Sequence, residues 1–333
     1  MKEQILSIVR EICNEIGETY KQNQLLTDYQ NYNKCYSSIY LLEDIAESFD
    51  FYKTKDDKSC SLGEKYILIY GIFEALYLQQ DALKTLCLAL NIQDFDLKND
   101  FPEINYIRNI RNDIAGHPTN RGTHSTYLSR LDLSLKKIKY EESKEHNLID
   151  VDVISCIKKQ EEFIVKQLQN LLELLLKEKK EHIEHFKSDK MLDCFKMFCY
   201  ANEKVYVENK FYTKEDALGF KLVEEMLSSF MKKVDERFVS WKNTNFSYEI
   251  EQVQEIYGYL LSKDNLLNEV DKESKFLKRQ LLENLFTHLK RLYEIAKEID
   301  EKYENYFEDK FRENNTQMSS IKVIDNITEE IGI

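Results

Sequence analysis

The stretch Tyr66-Ile67-Leu68-Ile69-Tyr70-Gly71-Ile72-Phe73-Glu74-Ala75-Leu76-Tyr77-Leu78 decides the fold. Glu74 is its sole charged residue, and its apolar residues occupy nearly every side of a helical wheel. A helix of that kind is one that other elements surround. The spacing predicts a long central helix from about Gly63 to Asn91. Upstream, residues 3–26 and 34–52 read as amphipathic helices joined by a polar turn at Asp28–Asn33. Downstream, Asn99-Asp100-Phe101-Pro102 opens a fourth helix, with proline in the first turn where its missing N–H costs nothing. Gly116-His117-Pro118 closes it.

Composition extends this reading to the whole chain. Its 333 residues contain 8 Gly and 2 Pro, too few for the frequent turns of barrels, sandwiches or doubly wound sheets. The expected fold is all-α, with two helical domains at 1–187 and 188–333. Between residues 124 and 141 the pattern changes to alternation, through Leu131-Asp132-Leu133-Ser134-Leu135 and Ile138-Lys139-Tyr140. A small β-hairpin excursion is expected there. A Leu-rich helix follows from Val151 to about Lys187, and further helices are expected at 213–241, 247–262 and 266–308.

No apolar run reaches the ~18 residues of a membrane span. The first residues lack the uninterrupted apolar region of a signal peptide, and seven cysteines without CxxC spacing read as reduced thiols. The expected location is the cytoplasm, away from membranes. With 47 Lys and Arg against 60 Asp and Glu, the formal charge is −13. That balance disfavours a general nucleic-acid coat, which needs cations for phosphates. Residues 101–140 nevertheless carry seven basic residues against three acids, an island suited to a localised anionic ligand.

The fourth helix crosses that island. At about 100° per residue, Ile104, Ile107, Ile110 and Ile114 form one apolar stripe. Arg111 falls inside the stripe, Arg108 and Asn112 on its flank, and Asp113 on the far side. A guanidinium on a core-facing stripe must be paired or must open onto a cleft. Either Arg111 pairs with a buried acid, for which Glu74 is the obvious partner, or it meets phosphate bidentately. His117 lies at the opposite edge of the stripe, and Pro118 pushes it out of helical geometry. An imidazole that moves a proton, beside a guanidinium that stabilises developing charge, suits phosphodiester cleavage by a neighbouring 2′-hydroxyl.

The segment Arg111-Asn112-Asp113-Ile114-Ala115-Gly116-His117 resembles the motif of the HEPN-domain family: Arg, usually followed by Asn, Asp or His, then four to six residues to a His. The preceding long apolar helix and Ile107-Arg108-Asn109-Ile110 resemble the same context, and the likeness covers roughly residues 1–187. The resemblance implies a helical bundle and a metal-independent endoribonuclease, often a toxin or antiviral effector, that leaves a 2′,3′-cyclic phosphate. It implies Arg111 and His117 as catalytic residues with Asn112 assisting, Glu74 as a supporting residue on an earlier helix, and a homodimer that pools both copies of the pair. No cofactor or metal is implied. The expected partner is RNA, with tRNA as one class of substrate. Many members of the family are inactive interaction modules, so a non-catalytic RNA- or protein-binding component is the alternative. An antitoxin or other protein would then engage the acidic C-terminal half.

Arg121, His124 and Arg130 follow the motif and, with Arg108, are the substrate-binding candidates. A plain helical scaffold, with Arg111–Glu74 as a buried ion pair, predicts that Arg111→Ala destabilises by roughly 3–5 kcal/mol. Tyr66, Tyr70 and Tyr77 have the spacing of core aromatics. His182 and His185 stand three apart on the long helix without the further ligands that a closed metal site needs. Cys194 and Cys199, among Phe195, Met197 and Phe198, read as an apolar packing pair. There is no phosphate-binding Gly-rich loop, no GxSxG and no HExxH.

Overall fold

The structure is a computed structural model that describes residues 1–92, 96–116, 125–130, 133–143, 147–208, 218–262 and 272–331. The chain is mostly helical, with one small antiparallel sheet. It divides into two compact units, Met1–Glu178 and Lys179–Ile333. The boundary lies inside a long helix, where the sequence reading put it at 187/188. Among the described residues no helix is long and apolar enough to cross a membrane.

In the first unit α1 (Lys2–Ile16), α2 (Thr19–Leu26) and α3 (Tyr29–Thr54) precede the central α4 (Leu62–Ala89). The expected turn at Asp28–Asn33 is instead the beginning of α3. The Asp28 carboxylate accepts from the backbone N–H groups of Gln30 (3.0 Å) and Asn31 (3.4 Å) and so caps the helix. Asp favours turns and helix caps for the same reason, its short acceptor reaching the backbone just ahead. Helix α4 opens with a capping box in which Ser61 and Glu64 satisfy each other's backbone N–H groups. It buries Ile69, Ile72, Phe73, Leu76, Leu83 and Leu86. Its opposite face stays open: Ile67 is 74% exposed, and Tyr70 and Leu78 are exposed as well.

A short α5 (Leu97–Asp100) leads into α6 (Pro102–Arg111), which buries the expected isoleucine stripe against α4. Residues Asn112–Gly116 continue it as a single π turn. Strands β1 (Thr126–Leu128), β2 (Lys137–Glu142) and β3 (Asn147–Asp152) follow in the order β1-β2-β3. The expected hairpin is thus a three-stranded sheet, with Tyr140 paired to both Leu128 and Ile149. The alternating Leu133 and Leu135 are buried as expected but belong to the β1–β2 connection. That connection is anchored by the Tyr52 hydroxyl, which donates to the Leu135 carbonyl (2.7 Å), and by Asp57, which accepts from the Leu135 N–H (2.6 Å). Helix α7 (Val153–Phe186) then returns against α4, its Gln160 amide donating to the Leu76 carbonyl at 3.1 Å.

The second unit contains α8 (Phe198–Glu208), α9 (Leu218–Phe238), α10 (Ser247–Ser262) and α11 (Lys272–Ile331). Phe195, Phe230, Val234, Phe246, Ile250, Leu285 and Leu289 are among its buried residues. Asp300 accepts from the backbone N–H groups of Met191 and Leu192, both at 2.9 Å, and starts the 3₁₀ turn Met191–Phe195. Beside it the Arg237 side chain is fully buried, 3.7 Å from carboxylate oxygens of both Asp300 and Asp189.

Candidate active site

Two helices build the site. On α4, Glu74, Tyr77 and Asp81 follow one another at helical spacing, and on α6 Arg108 and Arg111 stand three apart, so each set lies on one face. Arg111 donates from Nε to Glu74 Oε2 at 2.8 Å, and its Nη2 lies 2.8 Å from the same oxygen as an ion pair. Arg108 donates from Nη1 to Asp81 Oδ1, also at 2.8 Å. Between the two pairs lies Tyr77. The guanidinium carbon of Arg108 is 3.9 Å from the ring centroid and that of Arg111 is 4.2 Å from it. The negative face of an aromatic ring attracts a cation at this distance.

The Arg111–Glu74 pair is the one that the sequence suggests, but it is not buried. The Glu74 side chain is 41% exposed and that of Arg111 is 18% exposed. The open face of α4 is the reason: Glu74 lies among Ile67, Tyr70 and Leu78 on the uncovered side. A pair this exposed contributes about 0–1 kcal/mol, so the scaffold expectation of 3–5 kcal/mol for Arg111→Ala does not apply. The hydrogen bond that Arg111 donates to Glu74 holds the guanidinium above its ordinary pKa, so it is a permanent cation.

The π turn sets the other end of Arg111. Nη1 donates to Asn112 Oδ1 at 3.1 Å, which places the neighbouring polar residue of the motif on the same guanidinium. Asp113, expected to face away, points at the sheet: the Tyr140 hydroxyl donates to its Oδ2 at 3.2 Å, and the Thr126 hydroxyl donates to its carbonyl. An i→i+5 turn advances each residue by a smaller angle than the regular wheel assumes, and such single π turns are frequent at functional sites. Burial, and after it the Asp113 carboxyl, push the Tyr140 phenol up, so it stays a donor.

His117, Arg121 and His124 lie outside the described residues. Arg130 is exposed in the bend after β1 and makes no hydrogen bond or ion pair among the described residues. The structure therefore brings together Arg111, Asn112, Glu74 and Arg108 of the expected set. It adds Tyr77, read from the sequence as a core aromatic, and Asp81. Their signal was the match between Glu74/Tyr77/Asp81 on one helix and Arg108/Arg111 on the next.

No family model, curated protein or solved structure matches the chain. The basic island is also less free than its sequence suggests. Arg108, Arg111 and Lys139 are paired with Asp81, Glu74 and Asp150, all acids from outside residues 101–140.

In the second unit, His182 Nε2 lies 2.8 Å from the Tyr303 hydroxyl, and burial, with Arg237 nearby, pushes its pKa down to about 4. Cys194 is buried and Cys199 exposed, so they do not form the expected packing pair. Among the described residues no group of His, Cys, Asp or Glu is arranged to hold a metal ion.

Proposed function

We propose that the chain is a metal-independent endoribonuclease of HEPN type, acting as a toxin or phage-defence effector. The observation that carries this reading is the state of Arg111. It is a permanent cation at an open helix end, held by Glu74 at Nε and Nη2 and by Asn112 at Nη1, and it remains partly exposed. A guanidinium oriented in advance can stabilise charge as it develops on a phosphate without first reorganising.

In the proposed reaction the 2′-oxygen of RNA forms a bond to its own 3′-phosphorus and loses its proton. The bond from phosphorus to the 5′-oxygen of the next nucleotide breaks, and that oxygen takes up a proton. The products are a 2′,3′-cyclic phosphate and a free 5′-hydroxyl. Arg111 steadies the charged phosphorane, Asn112 assists in orienting it, and His117 serves the proton transfers. The open stripe of α4 through Ile67, Tyr70, Gly71 and Leu78 runs beside Glu74. Exposed apolar surface of this kind supports a homodimer that would pool two Arg–His sets.

A second reading, a non-catalytic HEPN-like module that binds RNA or a protein such as an antitoxin, is favoured by one feature. Glu74 already covers the Nε–Nη2 edge of Arg111, the edge that a phosphate would otherwise take bidentately. The two readings part in a cleavage assay with excess EDTA on labelled tRNA and a structured RNA. Ribonuclease activity gives cyclic-phosphate ends with the wild type and none with His117→Ala. RNA that binds and stays intact under every condition, in a protein of confirmed dimeric state, supports the module.

A further inference from the structure

We propose that Arg108 and Arg111 together clamp two neighbouring phosphates of one nucleic-acid strand, with Tyr77 as the positioning residue that sets their separation. This rests on the ribonuclease reading for the phosphate that Arg111 engages, and adds a second phosphate and the part that holds the two apart.

Three observations converge on it. First, both guanidinium groups lie on the same ring, 3.9 and 4.2 Å from its centroid, so their carbons cannot be more than about 8 Å apart. That is the scale of the phosphate repeat along a single strand. Second, the two cations are drawn towards opposite ends of the array. Glu74 and Asp81 stand seven residues apart on α4, about 10 Å along the helix axis, and each takes one arginine. Two arginines spread in this way present two anion positions instead of converging on one. Third, both side chains are partly open, Arg108 at 23% and Arg111 at 18% exposure. Arg108 gives Asp81 a single bond through Nη1, which leaves its remaining N–H groups for a ligand.

Tyr77 does not touch the phosphates in this arrangement. Its ring attracts both cations and so keeps both guanidinium groups at this point between the two helices. A leucine there would fill similar space with no preference for a cation. The clamp makes a specific demand on the substrate: a strand with a phosphate adjoining the one at Arg111 binds better than a strand with only one.

The test uses the full chain and 2′-deoxy strands, which lack the attacking hydroxyl and cannot be cleaved. Thymidine dinucleotide with one phosphate and trinucleotide with two are titrated against wild type, Arg108→Ala, Tyr77→Leu and Tyr77→Phe. Wild type binds the trinucleotide about tenfold more tightly, the worth of one charge-assisted hydrogen bond. Arg108→Ala and Tyr77→Leu lose that step, and Tyr77→Phe, which keeps the ring, restores it. A smaller folded fraction lowers the amplitude of binding and leaves this affinity ratio unchanged. A step of equal size in Arg108→Ala and wild type, or none in wild type, overturns the clamp. RNA cleavage by wild type alongside an unchanged step in Arg108→Ala would sink the clamp and leave the ribonuclease reading standing. An Arg108-dependent step in a protein that never cuts RNA would do the reverse.

Discussion

A methyl group added at Gly116 would stand 2.6 Å from Nη1 of Arg111 and 3.3 Å from its guanidinium carbon. Position 116 must therefore be bare for the guanidinium to lie back against the π turn. Glu74 and Asn112 could not otherwise hold their two ends of the same group.

Gly116→Ala should separate folding from function. The clash falls on the far end of a flexible side chain, so the fold yields by displacing the guanidinium and loses no more than about 1 kcal/mol. On the proposed ribonuclease function, RNA cleavage should fall at least about tenfold, because a small displacement of a stabilising donor is costly in a transition state. Thermal unfolding and a cleavage time course on the same preparation check both halves. Full activity in the alanine variant would show that the close approach is incidental.

Arg237 gives a prediction about the second unit. Among the described residues its Nε and Nη1 have no hydrogen-bond partner, and its nearest carboxylate oxygens are 3.7 Å away. Arg237→Ala should cost about 3–5 kcal/mol through lost packing and broken charge balance. Arg237→Met should cost less than half of that, because its side chain keeps most of the packing, while Asp300 keeps its two backbone N–H bonds in both variants. Urea midpoints of the two variants decide, and equal losses would refute the account.

Val239 ends α9 with φ of 67°, a left-handed conformation that a β-branched residue adopts at a cost. Its side chain is half exposed and gives little packing in return. Val239→Gly should therefore stabilise the protein by about 1 kcal/mol, seen as a raised melting temperature. A lowered one would mean that the valine contacts outweigh the strain.

His182 carries a pH dependence. Its folded pKa of about 4 lies below the ordinary 6.5, so between those values the unfolded chain binds more protons. Stability from this group is complete above about pH 6.5 and is lost as the pH falls towards 4. His182→Phe should flatten the slope of melting temperature against pH in that window. An unchanged slope would assign the acid sensitivity to other groups.

The helices were legible in the sequence because Gly and Pro are scarce and because Ile104, Ile107, Ile110 and Ile114 recur at helical spacing. The third strand was not. Asn147–Asp152 is short and runs straight into α7, so its last two residues, Val151 and Asp152, read as the start of the helix. The Arg111–Glu74 pair could be read from a lone charge in an apolar run. Its exposure could not, because whether the outer face of α4 is covered is a property of the assembled bundle. Tyr77 and Asp81 escaped for a related reason: each is unremarkable on its own helix and acquires its meaning only from the arginines opposite.

The pairing of Arg108 with Asp81, Arg111 with Glu74 and Lys139 with Asp150 turns three of the seven cations of the basic island into dipoles. The field of a dipole dies away faster with distance than that of a charge, while the −13 of the whole chain persists. A polyanion that engages this face, as the proposed function has it, is therefore repelled at long range and held only on contact. Added salt, which slows the encounter of ordinary basic proteins with nucleic acid, should here hasten the approach and weaken the grip that follows.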